Sequence, residues 1–282
     1  MLSLIFGLTA ACAWAVHDLM VRKLGQSTPH LPMMLVVLAA GTVTLAVPAF
    51  GWGNWDAMGP VAIGFSGLAG LAYALATGGL YRAFSLAPVR LVAPILGAYP
   101  MISLALAAFD GRHVSGVEVL AVLAIVAGIA VIAINGRNEQ TVQHPVQAIL
   151  WAIAGSTGFA ATFWLGQEAA RQGSVLPAML LTRLTALIVV AGLCLALHAR
   201  LDRIRDIRWI LVGMGQLDAL ALALVTAAAT LAYPEYAAIS SSVFGVLTIL
   251  LAWRVLGEKV LALQWFGTAV IFAGIAVLSM HG

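Results

Sequence analysis

Ten runs of about twenty mostly apolar residues divide this chain, and their length constrains the fold more than any motif does. They lie at 2–21, 31–50, 59–81, 89–109, 117–134, 146–168, 175–197, 209–231, 236–255 and 260–280. A membrane-crossing helix needs about 20 such residues to span a hydrocarbon core of about 30 Å. The breaks carry turn-forming residues: Gln26-Ser27-Thr28-Pro29, Gly51-Trp52-Gly53-Asn54, Ala87-Pro88 and Asp110-Gly111-Arg112. Charged residues are only 9% of the chain, against about 25% in soluble domains, so a large soluble core is a poor reading. The formal charge of +3 sits in loops, which argues against nucleic acid as a partner. The first run lacks a basic leader and contains His17 and Asp18, which speaks against a cleavable signal peptide. Cys12 and Cys194 lie within apolar runs and read as small buried residues, not as a disulfide or metal ligands.

One pentapeptide occurs twice. Ala127 to Val131 and Ala273 to Val277 both read AGIAV, with a separation of 273 − 127 = 146. The same offset places Pro88 on Pro234, Gly67 on Gly213 and Gly111 on Gly257. The chain therefore reads as two five-span copies, 1–136 and 146–282, joined by a polar linker at 137–145. Five is an odd number, so the second copy enters the membrane from the opposite side. The expected fold is an all-α membrane protein of ten helices in two inverted repeats. Carriers built this way place their substrate site near the midplane between the repeats.

Loops after the odd-numbered spans hold Arg22, Lys23, Arg82, Arg90, Arg137, Arg200, Arg203, Arg205, Arg208, Arg254 and Lys259; those after the even-numbered spans hold Arg112 and Arg171. The positive-inside rule then puts the richer side in the cytoplasm and both termini outside.

The two-by-five organisation, the sequence Gly257-Glu258-Lys259 before the last span, Ala273-Gly274 within that span and Arg183 early in its own span together resemble the EamA family of the drug/metabolite transporter superfamily. The first copy departs from this pattern at Gly111-Arg112-His113, and Val37 stands where the offset puts the partner of Arg183. The resemblance implies a secondary transporter in the bacterial inner membrane that exports amino acids or similar small metabolites. It also implies a cavity lined by the first, third, fourth, sixth, eighth and ninth spans, and cytoplasmic termini. That last implication opposes the charge count, and the orientation stays open.

Polar and aromatic residues recur at helical spacing in those spans. Trp14, His17 and Asp18 share one face of the first; Tyr73, Thr77 and Tyr81 recur every fourth residue in the third. The fourth offers Tyr99, the sixth Phe163, Trp164 and Gln167, the eighth Asp218, and the ninth Tyr236, Ser240 and Phe244. An ionised side chain in the hydrocarbon core faces the protein interior or a water-filled cavity. Asp18 and Asp218 are thus candidates for a substrate ammonium group or a coupling proton, and His17 titrates near neutrality. A structural ion pair of Asp218 with Arg183 is the plainer alternative. Arg183, Pro100 and Pro234 read as structural or gating residues. Trp52, Trp55, Trp151, Trp209 and Trp253 read as interfacial anchors.

No phosphate-binding loop of the G-x-x-x-x-G-K-[ST] type occurs, so transport would draw on a substrate or proton gradient, with no cofactor. A monomer contains both halves and suffices; a homodimer is left open. Three other readings compete. One is a multidrug or cationic-compound proton antiporter. Another is an intramembrane enzyme using Ser66 of Gly64-Phe65-Ser66-Gly67 with His17 as base. The third is a channel, for which no ring-forming filter sequence is present.

Overall fold

The computed structural model describes residues 2–99, 101–102, 105, 108, 113–137, 144–231, 237 and 240–281, with the backbone alone at 129–130, 132–137, 203, 229 and 278–281. Among the described residues there are ten α-helices and no strand. They are α1 (Leu2–Gly25), α2 (His30–Trp52), α3 (Pro60–Leu86), α4 (Val89–Leu96), α5 (Gly116–Arg137), α6 (Pro145–Gln172), α7 (Val175–Ala196), α8 (Arg208–Ala227), α9 (Phe244–Leu251) and α10 (Ala262–His281). Six of them, α1, α2, α3, α6, α7 and α8, are long and apolar enough to cross a membrane. Pro100, Pro234 and Tyr236 lie outside the described residues.

Local chemistry sets several boundaries. Proline opens α3 and α6, where its missing N–H is one that the first turn would leave free in any case. Ser115 and Glu118 cap α5 reciprocally: the Ser115 N–H donates to Glu118 Oε2 at 2.7 Å, and the Glu118 N–H to Ser115 Oγ at 3.3 Å. After α9 the chain makes a π-helical turn, Ala252–Leu256, and leaves it through Gly257 at φ 67°. That left-handed conformation is open to glycine at no steric cost.

Outward faces are apolar: Val43, Val47, Phe50 and Ile188 are exposed, as are Trp52, Trp209 and Trp253 near helix ends. In water these would be a liability; against lipid they are solvated. Cys12, expected to be buried, lies on this outer surface of α1, whereas Cys194 is buried. The lipid-facing side of a membrane helix is as apolar as its core, so an apolar run alone does not tell the two sides apart.

Most of the principal helix pairings map onto one another when the halves are exchanged. The pair α3 and α6 becomes α8 and α1 when each number is shifted by five, and both pairs are in contact. Likewise α3 with α7 becomes α8 with α2, and α4 with α6 becomes α9 with α1, while α2 with α7, α4 with α9 and α5 with α10 each map onto themselves. Side-chain detail follows the same exchange. A Cβ on Gly128 would meet Ile271 Cγ1 at 2.7 Å and the Gly267 carbonyl at 2.8 Å; one on Gly274 would meet Ile125 Cγ1 at 2.7 Å and the Ala121 carbonyl at 2.9 Å. Adding 146 to Gly128 and subtracting it from Ile271 and Gly267 gives Gly274, Ile125 and Ala121, so the two sets interchange. The repeated AGIAV thus supplies the small residue that lets α5 and α10 approach backbone to backbone.

Candidate functional site

The α1 segment carrying Trp14, His17 and Asp18 crosses the centre of the bundle against α3, α8 and α9, and all three side chains are buried. Their spacing of three and four residues puts them on one helix face. That face meets the tyrosines of α3, which share a face for the same reason.

Asp218 is the most heavily bonded group. Its Oδ1 accepts from Trp14 Nε1 at 3.1 Å. Its Oδ2 accepts from Arg183 Nη1 at 2.9 Å and from the Tyr73 hydroxyl. Arg183 Nη1 also donates to the Tyr73 oxygen at 3.3 Å. The guanidinium fits because α2 has glycine opposite it: a Cβ on Gly41 would lie 2.6 Å from Arg183 Cζ. Arg183 Nε and Nη2 are buried with no hydrogen-bond partner. A buried charge with one counter-ion and few other bonds loses several kcal/mol, of order 3–5, if that counter-ion is removed.

Asp18 is bonded differently. His17 Nδ1 lies 2.9 Å from Asp18 Oδ1, and His17 Nε2 lies 3.1 Å from the Tyr81 hydroxyl. Asp18 Oδ2 is buried and has no partner, although the residue is only 1% exposed.

A cavity opens beside these groups, lined by Trp14, His17, Asp18, Thr77, Leu80, Tyr81, Tyr99, Phe159, Phe163, Asp218 and Phe244. Trp14 sits at its centre, with ring centroids 5.7 Å from Phe163, 6.1 Å from Phe244 and 6.3 Å from Phe159. Such offset and edge-on aromatic pairs are favourable packing arrangements. The space left is about 10 Å³, which is about one water molecule. Among the described residues, a guest larger than water therefore requires these side chains or helices to part.

Most of the residues expected from sequence converge here. Tyr99 donates to or accepts from Ser241 Oγ at 2.7 Å. Tyr73 stands behind the wall in the Asp218 cluster, and Ser240 lies against the first turn of α1, its hydroxyl 3.3 Å from the Leu4 carbonyl. Trp164 is not brought into the cluster: it is 44% exposed on the outer face of α6, edge-on to Phe65. Gln167 is half-buried and likewise off the cavity wall. Phe159 was missed, although it stands one turn before Phe163 at i−4, the spacing that identified the tyrosines of α3. Ser66 is buried in α3 with its hydroxyl donated to the Ala62 carbonyl at 2.7 Å, and His17 is occupied by Asp18 and Tyr81.

A second polar group closes one end of the bundle. Arg22, in the last turn of α1, donates through Nε to Glu258 Oε1 at 2.8 Å and through Nη1 to the Phe84 carbonyl at 2.9 Å. The other Glu258 oxygen accepts from the Val89 N–H at 2.9 Å, at the start of α4, where a carboxylate also meets the positive end of the helix dipole. Glu258 of the Gly257-Glu258-Lys259 sequence thus ties α1, the α3–α4 turn and the segment before α10 together.

Residues 146–280 match the EamA-like transporter family. No curated protein matches the sequence. Among the solved structures, 29 chains match; one, a crystal structure whose description states no function, superposes with a TM-score of 0.71 at 17% identity, covering 99% of this chain and 96% of that one. At that identity the likeness speaks to the fold alone.

Proposed function

We propose that this chain, whose residues 146–280 match the EamA-like transporter family, is a secondary carrier of the drug/metabolite type that exports amino acids or similar amino-bearing metabolites by alternating access. The observation that carries this reading is the cavity of aromatic rings and two carboxylates, walled by helices of both halves. Exchange of contacts under the 146-residue offset, as at Gly128 and Gly274, supports an inverted repeat. In such a repeat, rocking one half against the other exposes the same site to each side in turn.

The roles follow from the geometry. Trp14, Phe163, Phe244 and Tyr99 stack on an apolar or aromatic substrate body, and a substrate ammonium group gains both cation–π attraction and a carboxylate. Asp18 supplies that carboxylate, because Asp218 is already neutralised by Arg183. Arg183 holds Asp218 and shapes the floor without touching the cavity. A second reading, exchange of a cationic compound against protons, is favoured by one observation: among the described residues, no lysine or arginine is on the cavity wall to receive a substrate carboxylate.

Uptake of a panel of radiolabelled amino acids and their decarboxylated amines into liposomes holding the purified protein, with and without an imposed pH gradient, tests the proposal. Saturable uptake of amino acids that falls at least tenfold in Asp18→Asn is expected. Uptake of the amines alone, driven by the gradient, would replace it with the second reading; transport of every solute in the panel unchanged by Asp18→Asn would overturn the site.

A further inference from the structure

The two buried carboxylates of the cavity are not equivalent. Both oxygens of Asp218 are filled, by Trp14 on one side and by Arg183 and Tyr73 on the other. Neutralising it strands a guanidinium that is itself fully buried and boxed in by Gly41. Asp18 has one oxygen on His17 and one bare oxygen beside the cavity. Its partner is an imidazole, whose two ring nitrogens can each donate or accept a proton. The titratable and charged groups facing this pair are Tyr81 of α3, bonded to His17, with Tyr73 beyond; Asp218 of α8; Arg183 of α7 behind it; and Tyr99 on the cavity wall, while the described residues of α9 carry no titratable group.

Resting on the transport reading above, we propose a division of labour between the carboxylates: Asp18 with His17 is the exchangeable site, holding either one proton or the cationic group of the substrate, while Asp218 is a permanently anionic strut fixed by Arg183. A substrate amine entering the cavity displaces the proton from the Asp18–His17 pair, and the positive charge held there stays at one. Asp218 keeps its hydrogen bonds throughout and positions Trp14 against the substrate.

The proton half of this assignment needs no substrate. In purified full-length protein, infrared difference spectra recorded as the pH is stepped across neutrality report buried carboxyl and imidazole groups directly. Loss of the titrating carboxyl–imidazole signal is expected in Asp18→Asn and in His17→Gln. The signal is expected to survive in Asp218→Asn. Because that variant strands Arg183 and can fail to fold, the double variant Arg183→Leu/Asp218→Leu, which removes both charges, serves as the second arm and is expected to keep the signal as well. A signal kept in Asp18→Asn but lost when the Arg183–Asp218 pair is removed would overturn the assignment. Liposome uptake read in parallel separates the two claims: a titrating Asp18 in a protein that moves no solute removes the transport reading and leaves the proton assignment standing.

Discussion

Two arginine–carboxylate pairs of nearly equal length stand at different depths in this molecule. Arg183–Asp218 spans 2.9 Å with side chains 0% and 5% exposed; Arg22–Glu258 spans 2.8 Å with side chains 14% and 11% exposed. The inner pair joins α7 to α8 in the middle of the bundle and, among the described residues, has Trp14 and Tyr73 for further hydrogen bonds. The outer pair sits where α1, α3, α4 and the approach to α10 end together, backed by a helix N-terminus and a free carbonyl. Depth decides what each is good for. Separating the inner charges leaves ions that nothing can solvate, so this pair is a fixed part of the scaffold. The outer charges lie nearer the surface and can part at moderate cost.

The largest expected effect breaks the inner pair. Asp218→Leu should destabilise the protein by about 3–5 kcal/mol, and the double variant Arg183→Leu/Asp218→Leu should recover most of that loss. Thermal unfolding of the detergent-solubilised protein measures both; equal losses in the two would mean that Arg183 is compensated by something other than Asp218. A middle effect tests the outer pair. Glu258→Gln keeps the shape and removes the charge, and should cost about 1.5 kcal/mol, the range of a hydrogen bond to an ionised group; a loss as large as that of Asp218→Leu would erase the distinction between the sites. The smallest effect sets the baseline. Arg171, 53% exposed and 3.7 Å from Glu168 on its own helix, should give a change within about 0.5 kcal/mol on substitution by Gln, as surface ion pairs do.

The clustering of most of the candidate residues was legible in the sequence. A spacing of three and four residues placed Trp14, His17 and Asp18 on one face, and a charge in an apolar run had to point inward, so Asp18, Asp218 and Arg183 all stood out. Trp164 misled because it is adjacent to Phe163, and neighbours on a helix differ by about 100°: one faces the cavity and the other the lipid. An all-apolar span carries little contrast between its two sides, which is also why Cys12 reads as buried and is not.

The sequence by itself determined that the chain is a helical membrane protein, that its halves share a pattern offset by 146 residues and that a few charges must be sheltered within it. Those are properties of composition, run length and periodicity, which need no partner. Only the tertiary structure decided which carboxylate is neutralised. Arg183 and Asp218 are 35 positions apart, and Tyr73 is 145 positions from Asp218. Their meeting depends on how α3, α7 and α8 pack around Gly41, and that packing gives both Asp218 oxygens partners while Asp18 keeps one oxygen without a partner among the described residues.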